Sequence, residues 1–286
     1  MKIALGTAQF GLDYGIANNT GRVSNLSVKK ILEIARSLGV DVLDTAAAYG
    51  CSEHVLGNNG VDAFKVITKL PPIANSNHDL ASWVSRCVNQ SLANLKSDSL
   101  YGLLLHRPLE LKNSNGRALY HALVDLKKQG AVQKIGISVY GPEDLAQLSN
   151  FEFDVVQAPM NVLDQRIKDA GWLTRLKENG VEIHIRSAFL QGLLLMADEQ
   201  RPEYFKPWLP LLSTYDAWVQ EQRLTPLQAC LGFLNGHTEI DKIVVGVNTS
   251  QQLQDIISAS TTQVPPIPES IKATDLKLIN PALWVL

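Results

Sequence analysis

Four residues of reactive type stand out for their settings: Asp44 and Tyr49 in LDTAAAYG, Lys69 in VITKL, and His106 in LLLHRP. Together they suit reduction of a carbonyl, which needs a hydride at carbon and a proton at oxygen. A free tyrosine, with a pKa of about 10, is a poor proton donor at neutral pH. A lysine ammonium beside the phenol favours the phenolate, and an aspartate paired with the lysine keeps it charged and fixed. A histidine across the pocket can orient the carbonyl oxygen or share in proton delivery. Each residue alone has a structural reading: Asp44 as a turn cap, Tyr49 as rim packing, Lys69 as a solvated strand end, His106 as a satisfied histidine before a turn. All four at equivalent chain positions are harder to explain as packing.

Those positions follow from the elements that carry them. Eight short runs rich in β-branched residues read as strands, at 2–8, 40–46, 64–70, 99–106, 132–139, 153–159, 181–187 and 241–247. Helix-like stretches alternate with them at 27–39, 79–95, 116–129, 142–149, 168–179, 211–222, 226–235 and 250–259. In the first, Ile31, Ile34, Ala35 and Leu38 recur at helical spacing and Gly39 supplies the stop. Pro142 and Pro226 suit first helical positions. Eight βα units predict an α/β fold, a (β/α)8 TIM barrel forming a single domain over 1–286, and in such a barrel functional residues sit at the C-terminal ends of strands. Asp44, Tyr49, Lys69 and His106 all fall there. Two long irregular stretches, 11–25 and 192–211, predict extended active-site loops. For the second, with Tyr204, Phe205 and Trp208 among its prolines, packing of a surface excursion is an equal alternative.

Composition narrows the partners. The 286 residues are 45% hydrophobic and 19% charged, as in a globular protein, and the net charge of -2 comes without the basic block that nucleic acid requires. The start MKIALGTAQFG lacks a signal-peptide pattern, and no apolar run approaches the roughly 18 residues that span a bilayer. A cytoplasmic enzyme without membrane attachment is expected. Cys51, Cys87 and Cys230 fit neither a disulfide framework nor a CxxC pair, and His54, His78, His106, His121, His184 and His237 show no ligand spacing, so no metal is expected. The sequence sets no oligomeric state.

The strings LDTAAAYGCSEHVLG (43–57), ITKL (67–70) and LLLHRP (103–108) resemble signatures of the aldo-keto reductase superfamily, in the same order and at similar spacing. LGTAQFG (5–11), GISV (136–139), QAPMN (157–161), FLQGLL (189–194) and VVGVNTSQQL (244–253) extend the resemblance over nearly the whole chain. It implies an NAD(P)H-dependent reductase of aldehydes or ketones, with Tyr49 as proton donor, Lys69 and Asp44 tuning it, and His106 orienting the carbonyl. Gly6 and Thr7 would face the cofactor. Ser138 and Gln157 would hold the nicotinamide carboxamide, with Val139 where asparagine is common and Asn161 as a substitute. Arg186 stands where an aromatic usually stacks on the nicotinamide. A guanidinium there can stack, favour the reduced cofactor or bind an anionic substrate. Ser187, Leu190 and Gly192 fall near the pyrophosphate.

Around the adenosine the resemblance places Gly246, Asn248, Thr249, Ser250 and Gln252, the last at a position that is often arginine. Serine and asparagine still bind phosphate, so NADP(H) is placed ahead of NAD(H). Tyr14, Arg107, Asn161 and the aromatic loop at 202–208 would select the substrate, a small polar or sugar-like carbonyl compound. Two other readings stand beside this one. The first is a cofactor-sensing regulatory or scaffold subunit, against which the complete tetrad argues. The second is a lyase using Lys69 as a Schiff-base nucleophile.

Overall fold

The structure, a computed structural model, describes residues 1–73 and 79–286; His78 lies outside that range. Eight parallel strands pair in chain order and close on themselves. They are β1 (Ile3–Gly6), β2 (Val42–Asp44), β3 (Lys65–Leu70), β4 (Leu100–Leu105), β5 (Val132–Ser138), β6 (Val155–Pro159), β7 (Glu182–Arg186) and β8 (Lys242–Gly246). Each lies inside a run read from sequence, trimmed by at most two residues at either end. The ring closes where Ile3, Ala4, Leu5 and Gly6 of β1 pair with Ile243, Val244, Val245 and Gly246 of β8.

Strand residues two apart share a face, and that alternation divides the core. Ala4, Val42, Ile67, Leu104 and Val155 form a small cluster that fills the lumen. Ile3, Leu5, Leu43, Val66, Leu103 and their neighbours belong to the large cluster between strands and helices. Moving two residues toward the C-terminus from each lumen residue stays on the lumen face, one layer up. Gly6, Asp44, Lys69, His106 and Gln157 are reached in this way, as is Gly246 from Val244. The packing that holds the barrel therefore aims the candidate residues at one mouth.

The helices follow the sequence with local differences. Ser24 caps Asn25–Ser37 by accepting from the Ser27 amide at 3.2 Å. Its buried face is Val28, Ile31, Leu32 and Ala35, rotated from the predicted Ile34 and Leu38 side. The predicted helix at 168–179 is two pieces, Arg166–Asp169 and Trp172–Glu178, because Gly171 between them is left-handed at φ 72°. Thr225 and Gln228 form a reciprocal capping box at the start of Pro226–Asn235. A helix not read from sequence, Ser52–Asn59, directly follows the Tyr49 turn.

In the 192–211 stretch the packing alternative describes the structure. Phe205 is fully buried with its ring 4.9 Å from that of Trp284, Tyr204 Oη donates to the Lys277 carbonyl at 2.9 Å, and Trp208 Nε1 donates to Asp275 at 3.0 Å. These aromatics fasten the C-terminal segment to the barrel and do not line the cleft described below. Among the described residues no helix is long and apolar enough to cross a membrane.

Candidate active site

The turn after β2 carries Tyr49 and is held from below by small residues. A side chain at Gly11 would lie 1.8 Å from the Tyr49 carbonyl oxygen, and Gly50 takes the left-handed φ of 55°. Thr7 braces the same turn: its amide and its hydroxyl both donate to the Asp44 carbonyl, at 2.9 and 3.0 Å, and the Ser52 hydroxyl donates to the Thr7 carbonyl at 2.8 Å. Thr7 is fully buried in this support of Asp44 and also lines the cleft described below.

On this support the four reactive residues converge. Lys69 Nζ lies 2.6 Å from Asp44 Oδ2, 2.9 Å from the Thr45 carbonyl and 3.4 Å from the Tyr49 hydroxyl oxygen. The lysine is 1% exposed. Burial alone would drive it toward the neutral amine, but the Asp44 carboxylate, with Tyr49 beside it, outweighs that and holds the ammonium above the usual lysine range. The His106 ring meets Tyr49 edge-on with centroids 5.9 Å apart. Burial, then Lys69 and Arg186, push His106 down to about 4, so it is a neutral imidazole at physiological pH.

Behind this group the polar chain continues. Gln157 Nε2 donates to Asp44 Oδ1 at 2.7 Å, and the Ser138 hydroxyl donates to Gln157 Oε1 at 3.1 Å. Gln157 keeps one N–H and one lone pair for a further partner. It lines the cleft, whereas Ser138 stands behind it. Arg186, at the end of β7, donates to the Val139 carbonyl at 2.9 Å and to the Ser187 hydroxyl at 3.2 Å, with its guanidinium carbon 4.8 Å from the Tyr140 ring centre. The aromatic that stacks here is thus Tyr140, beneath the arginine.

A cleft of about 1290 Å³, counting its open mouth, runs from Tyr49 across β1 and β8 to the helix Ser250–Ala259. Gly6, Tyr14, Gln157, Arg186, Ser187, Gly192, Gly246, Asn248 and Gln252 line it, as expected from sequence. Thr7 lines it as well, whereas Ser138, Asn161, Leu190 and Arg107 do not. Asn161 is fully buried: its Oδ1 accepts from the Leu163 and Asp164 amides and its Nδ2 donates to the Ser187 carbonyl, so it shapes the loop. Leu190 places its side chain in the core and donates its amide to the Ser187 carbonyl. Arg107 is exposed outside the cleft, adding positive charge near His106.

Other lining residues escape a sequence reading. Asn18 and Gln191 belong to a strap over the cleft: the Ala17 amide donates to the Gln191 carbonyl at 3.4 Å, and Asn248 Nδ2 donates to Asn18 Oδ1 at 2.9 Å. A side chain on Gly192 would strike Ala17 at 2.4 Å, which is why glycine stands where the two loops touch. Ser187, Leu190 and Gln191 hold left-handed φ values of 61°, 44° and 53°, strain of the sort that concentrates at functional loops. Asp255 and Ile256 lie one helical turn beyond Gln252, a spacing that could have found them.

The cleft suits a long, polar, extended ligand. Glycines at Gly6 and Gly246 keep its floor low, and the buried Asn248 Oδ1 has no partner among the described residues and calls for a donor. Among the described residues, no group of three His, Cys, Asp or Glu is placed to hold a metal ion.

The model of the aldo/keto reductase family matches residues 2–273. The chain matches no curated protein. Among solved structures it is similar to an aldo-keto reductase from Pseudomonas aeruginosa, at 21% identity and TM-score 0.68 over 91% of this chain and 89% of that one. It is likewise similar to the holo form of the aldo-keto reductase AKR11C1 from Bacillus halodurans, at 19% identity and TM-score 0.72 over 92% of this chain and 88% of that one. At such identities the structures speak for a shared fold.

Proposed function

The chain belongs to the aldo/keto reductase family, and from that premise we propose that it is an NAD(P)H-dependent reductase, a single barrel domain over 1–286 that converts an aldehyde or ketone to the alcohol. The observation that carries this is the Tyr49 hydroxyl, held 3.4 Å from a buried ammonium at the mouth of the cleft, with no acceptor for its own hydrogen among the described residues.

A reduced nicotinamide, when bound in the cleft, would be the source of the hydride that the carbonyl carbon takes up. Tyr49 gives its proton to the carbonyl oxygen, and the Lys69 ammonium stabilises the phenolate oxygen left behind. Asp44 keeps Lys69 charged, so that this help is in place before the proton moves. His106, neutral at working pH, donates a hydrogen bond to the same carbonyl oxygen and orients it. Gln157, with Ser138 fixing its amide, offers its remaining N–H and lone pair to a carboxamide. Ser187, Gly192, Gly246, Asn248 and Gln252, which line the cleft, would hold the rest of the dinucleotide. Tyr14 and Arg186 border the substrate end, and the Arg186 charge suits a polar or anionic carbonyl compound.

Placing Lys69 in a Schiff-base lyase conflicts with its surroundings: a nucleophilic amine must be neutral and reachable, whereas this one is buried and held charged by Asp44. The test is NADH and NADPH oxidation with a panel of aldehydes, ketones and aldoses, followed by Tyr49→Phe. The expected result is a kcat lower by about 10²–10⁴ with unchanged cofactor affinity, the span associated with general acid catalysis. A variant that keeps the wild-type kcat would overturn the assignment. Tight dinucleotide binding without turnover of any carbonyl would favour a cofactor sensor instead.

A further inference from the structure

We infer that the substrate is an anionic carbonyl compound, an oxo acid or a phosphorylated aldehyde, whose anionic group is held by Arg186. The inference rests on the reductase reading above and narrows it from polar compounds in general to those of one charge.

Arg186 points away from the long arm of the cleft. The strands stand around the mouth in chain order, and the cleft crosses β1 and β8 toward the helix Ser250–Ala259. Arg186 ends β7, next to that path, yet its guanidinium turns the other way, across the end of β6. It reaches the Val139 carbonyl at 2.9 Å and the Tyr140 ring, whose centre is 4.8 Å from its carbon, both beyond the end of β5. The next strand around is β4, which His106 follows. Burial, then Lys69, then Arg186 lower the His106 pKa, so the guanidinium charge reaches the imidazole that would orient the carbonyl. Arg186 still lines the cleft and is only half-buried, so a ligand there can touch it.

Nothing close by cancels this charge. Asp44 is committed to Lys69 at 2.6 Å, and both hydrogen bonds of Arg186 go to neutral oxygens, the Val139 carbonyl and the Ser187 hydroxyl. No carboxylate pairs with it among the described residues. Arg107, exposed beside His106, adds a second positive charge to the same region. A guanidinium has five N–H groups, and with two spent on these oxygens the others remain for a ligand.

The fork is also held in place. Tyr140, on which it lies, is fixed by its own backbone: the amide donates to Asp144 at 2.7 Å and the carbonyl accepts from Arg166 at 3.1 Å. A planar guanidinium oriented in advance loses little freedom on taking up a carboxylate or phosphate. A neutral substrate covering Arg186 would strip water from an unpaired charge and offer no counter-charge, which weakens binding. An anion supplies what is missing.

Steady-state kinetics on two matched pairs, with the intact protein, test this: 4-oxobutanoate against butanal for a carboxylate, and glyceraldehyde 3-phosphate against glyceraldehyde for a phosphate. The anionic member of at least one pair is expected to show a kcat/KM at least about tenfold higher, through KM, the margin of one charge-assisted contact. The pair that shows it tells carboxylate from phosphate. Arg186→Gln should bring that ratio toward one, and Arg186→Lys, which keeps the charge without the fork, should retain part of it. Equal kcat/KM within both pairs of the wild type overturns the inference, whether or not the Gln variant folds. So does an Arg186→Gln effect that falls on the dissociation constants of NADH and NADPH and leaves the ratio unmoved, since Arg186 would then serve the cofactor. Absence of turnover of every compound with either nucleotide overturns the reductase reading beneath it.

Discussion

The two mouths of the barrel carry the same residue types and put them to different use. At the C-terminal mouth stand Asp44, Lys69, Tyr49 and His106; at the N-terminal mouth stand Asp41, Lys65, Tyr101 and His184, with Lys134, Glu182 and Lys242. Lys65 and Asp41 lie 3.2 Å apart with side chains 51% and 41% exposed, whereas Lys69 and Asp44 lie 2.6 Å apart at 1% and 5%. Tyr101 Oη donates to Glu182 Oε2 at 2.8 Å, and burial together with that carboxylate holds its proton on more firmly than usual. Glu182 also takes Lys134 and His184 Nε2. Tyr101, Lys134 and His184 Nε2 thus share one carboxylate, while the buried His184 Nδ1 has no partner among the described residues. At the other mouth the Tyr49 hydroxyl lines the cleft and its proton has no acceptor among the described residues. On the function proposed above, reactivity comes from a buried charge pair next to a hydroxyl open to the cleft, and the residue types alone do not supply it.

The sharpest way to break this contrast is to delete one lysine at each mouth. Lys69→Met leaves Asp44 charged and buried, and should cost about 3–5 kcal/mol in urea unfolding along with the activity. Lys65→Met, exposed, should cost less than about 1 kcal/mol and leave turnover intact. Equal costs would remove the distinction.

The next effect is on pH. His106 titrates at about 4 in the folded chain and near 6.5 when free. Between those values the unfolded chain takes up a proton that the folded one does not, so stability is full above about 6.5 and falls as the pH drops toward 4. The loss should approach about 3 kcal/mol. His106→Gln should flatten that part of the stability–pH curve, and a curve unchanged by the substitution would show that His106 is not the group responsible. The smallest effect belongs to Tyr101→Phe, which removes a hydrogen bond to Glu182 at about 1 kcal/mol in unfolding, without changing kcat.

Much of this was legible in the chain because it depends on periodicity. The β-branched runs mark the eight strands, and their C-terminal ends mark Asp44, Lys69 and His106. What sequence missed depends on where loops come to rest. Asn161 reads as a polar residue at a strand end, yet Asp164 three residues on lets it close a turn upon itself. Leu190 is aligned with a phosphate-binding loop, but its left-handed backbone turns the side chain inward. Asn18 meets Asn248 across 230 residues, a contact no local pattern announces. The helix Ser52–Asn59 buries Glu53, which accepts from Thr68 at 2.6 Å and from Asn94 at 3.2 Å. Its polar sequence shows no apolar stripe because part of what it buries is a hydrogen-bonded carboxylate.

The β1–β8 seam has a consequence for synthesis. The floor of the cleft is made of Gly6 from the first strand and Val244 to Gly246 from the last, joined in register. A nascent chain can pair β1 with β2 as soon as both have left the ribosome, but its cleft does not exist until the eighth strand arrives. Until then β1 presents an unpaired edge, which the finished ring no longer has. Closing the circle therefore completes the binding groove and removes an adhesive edge in a single late event.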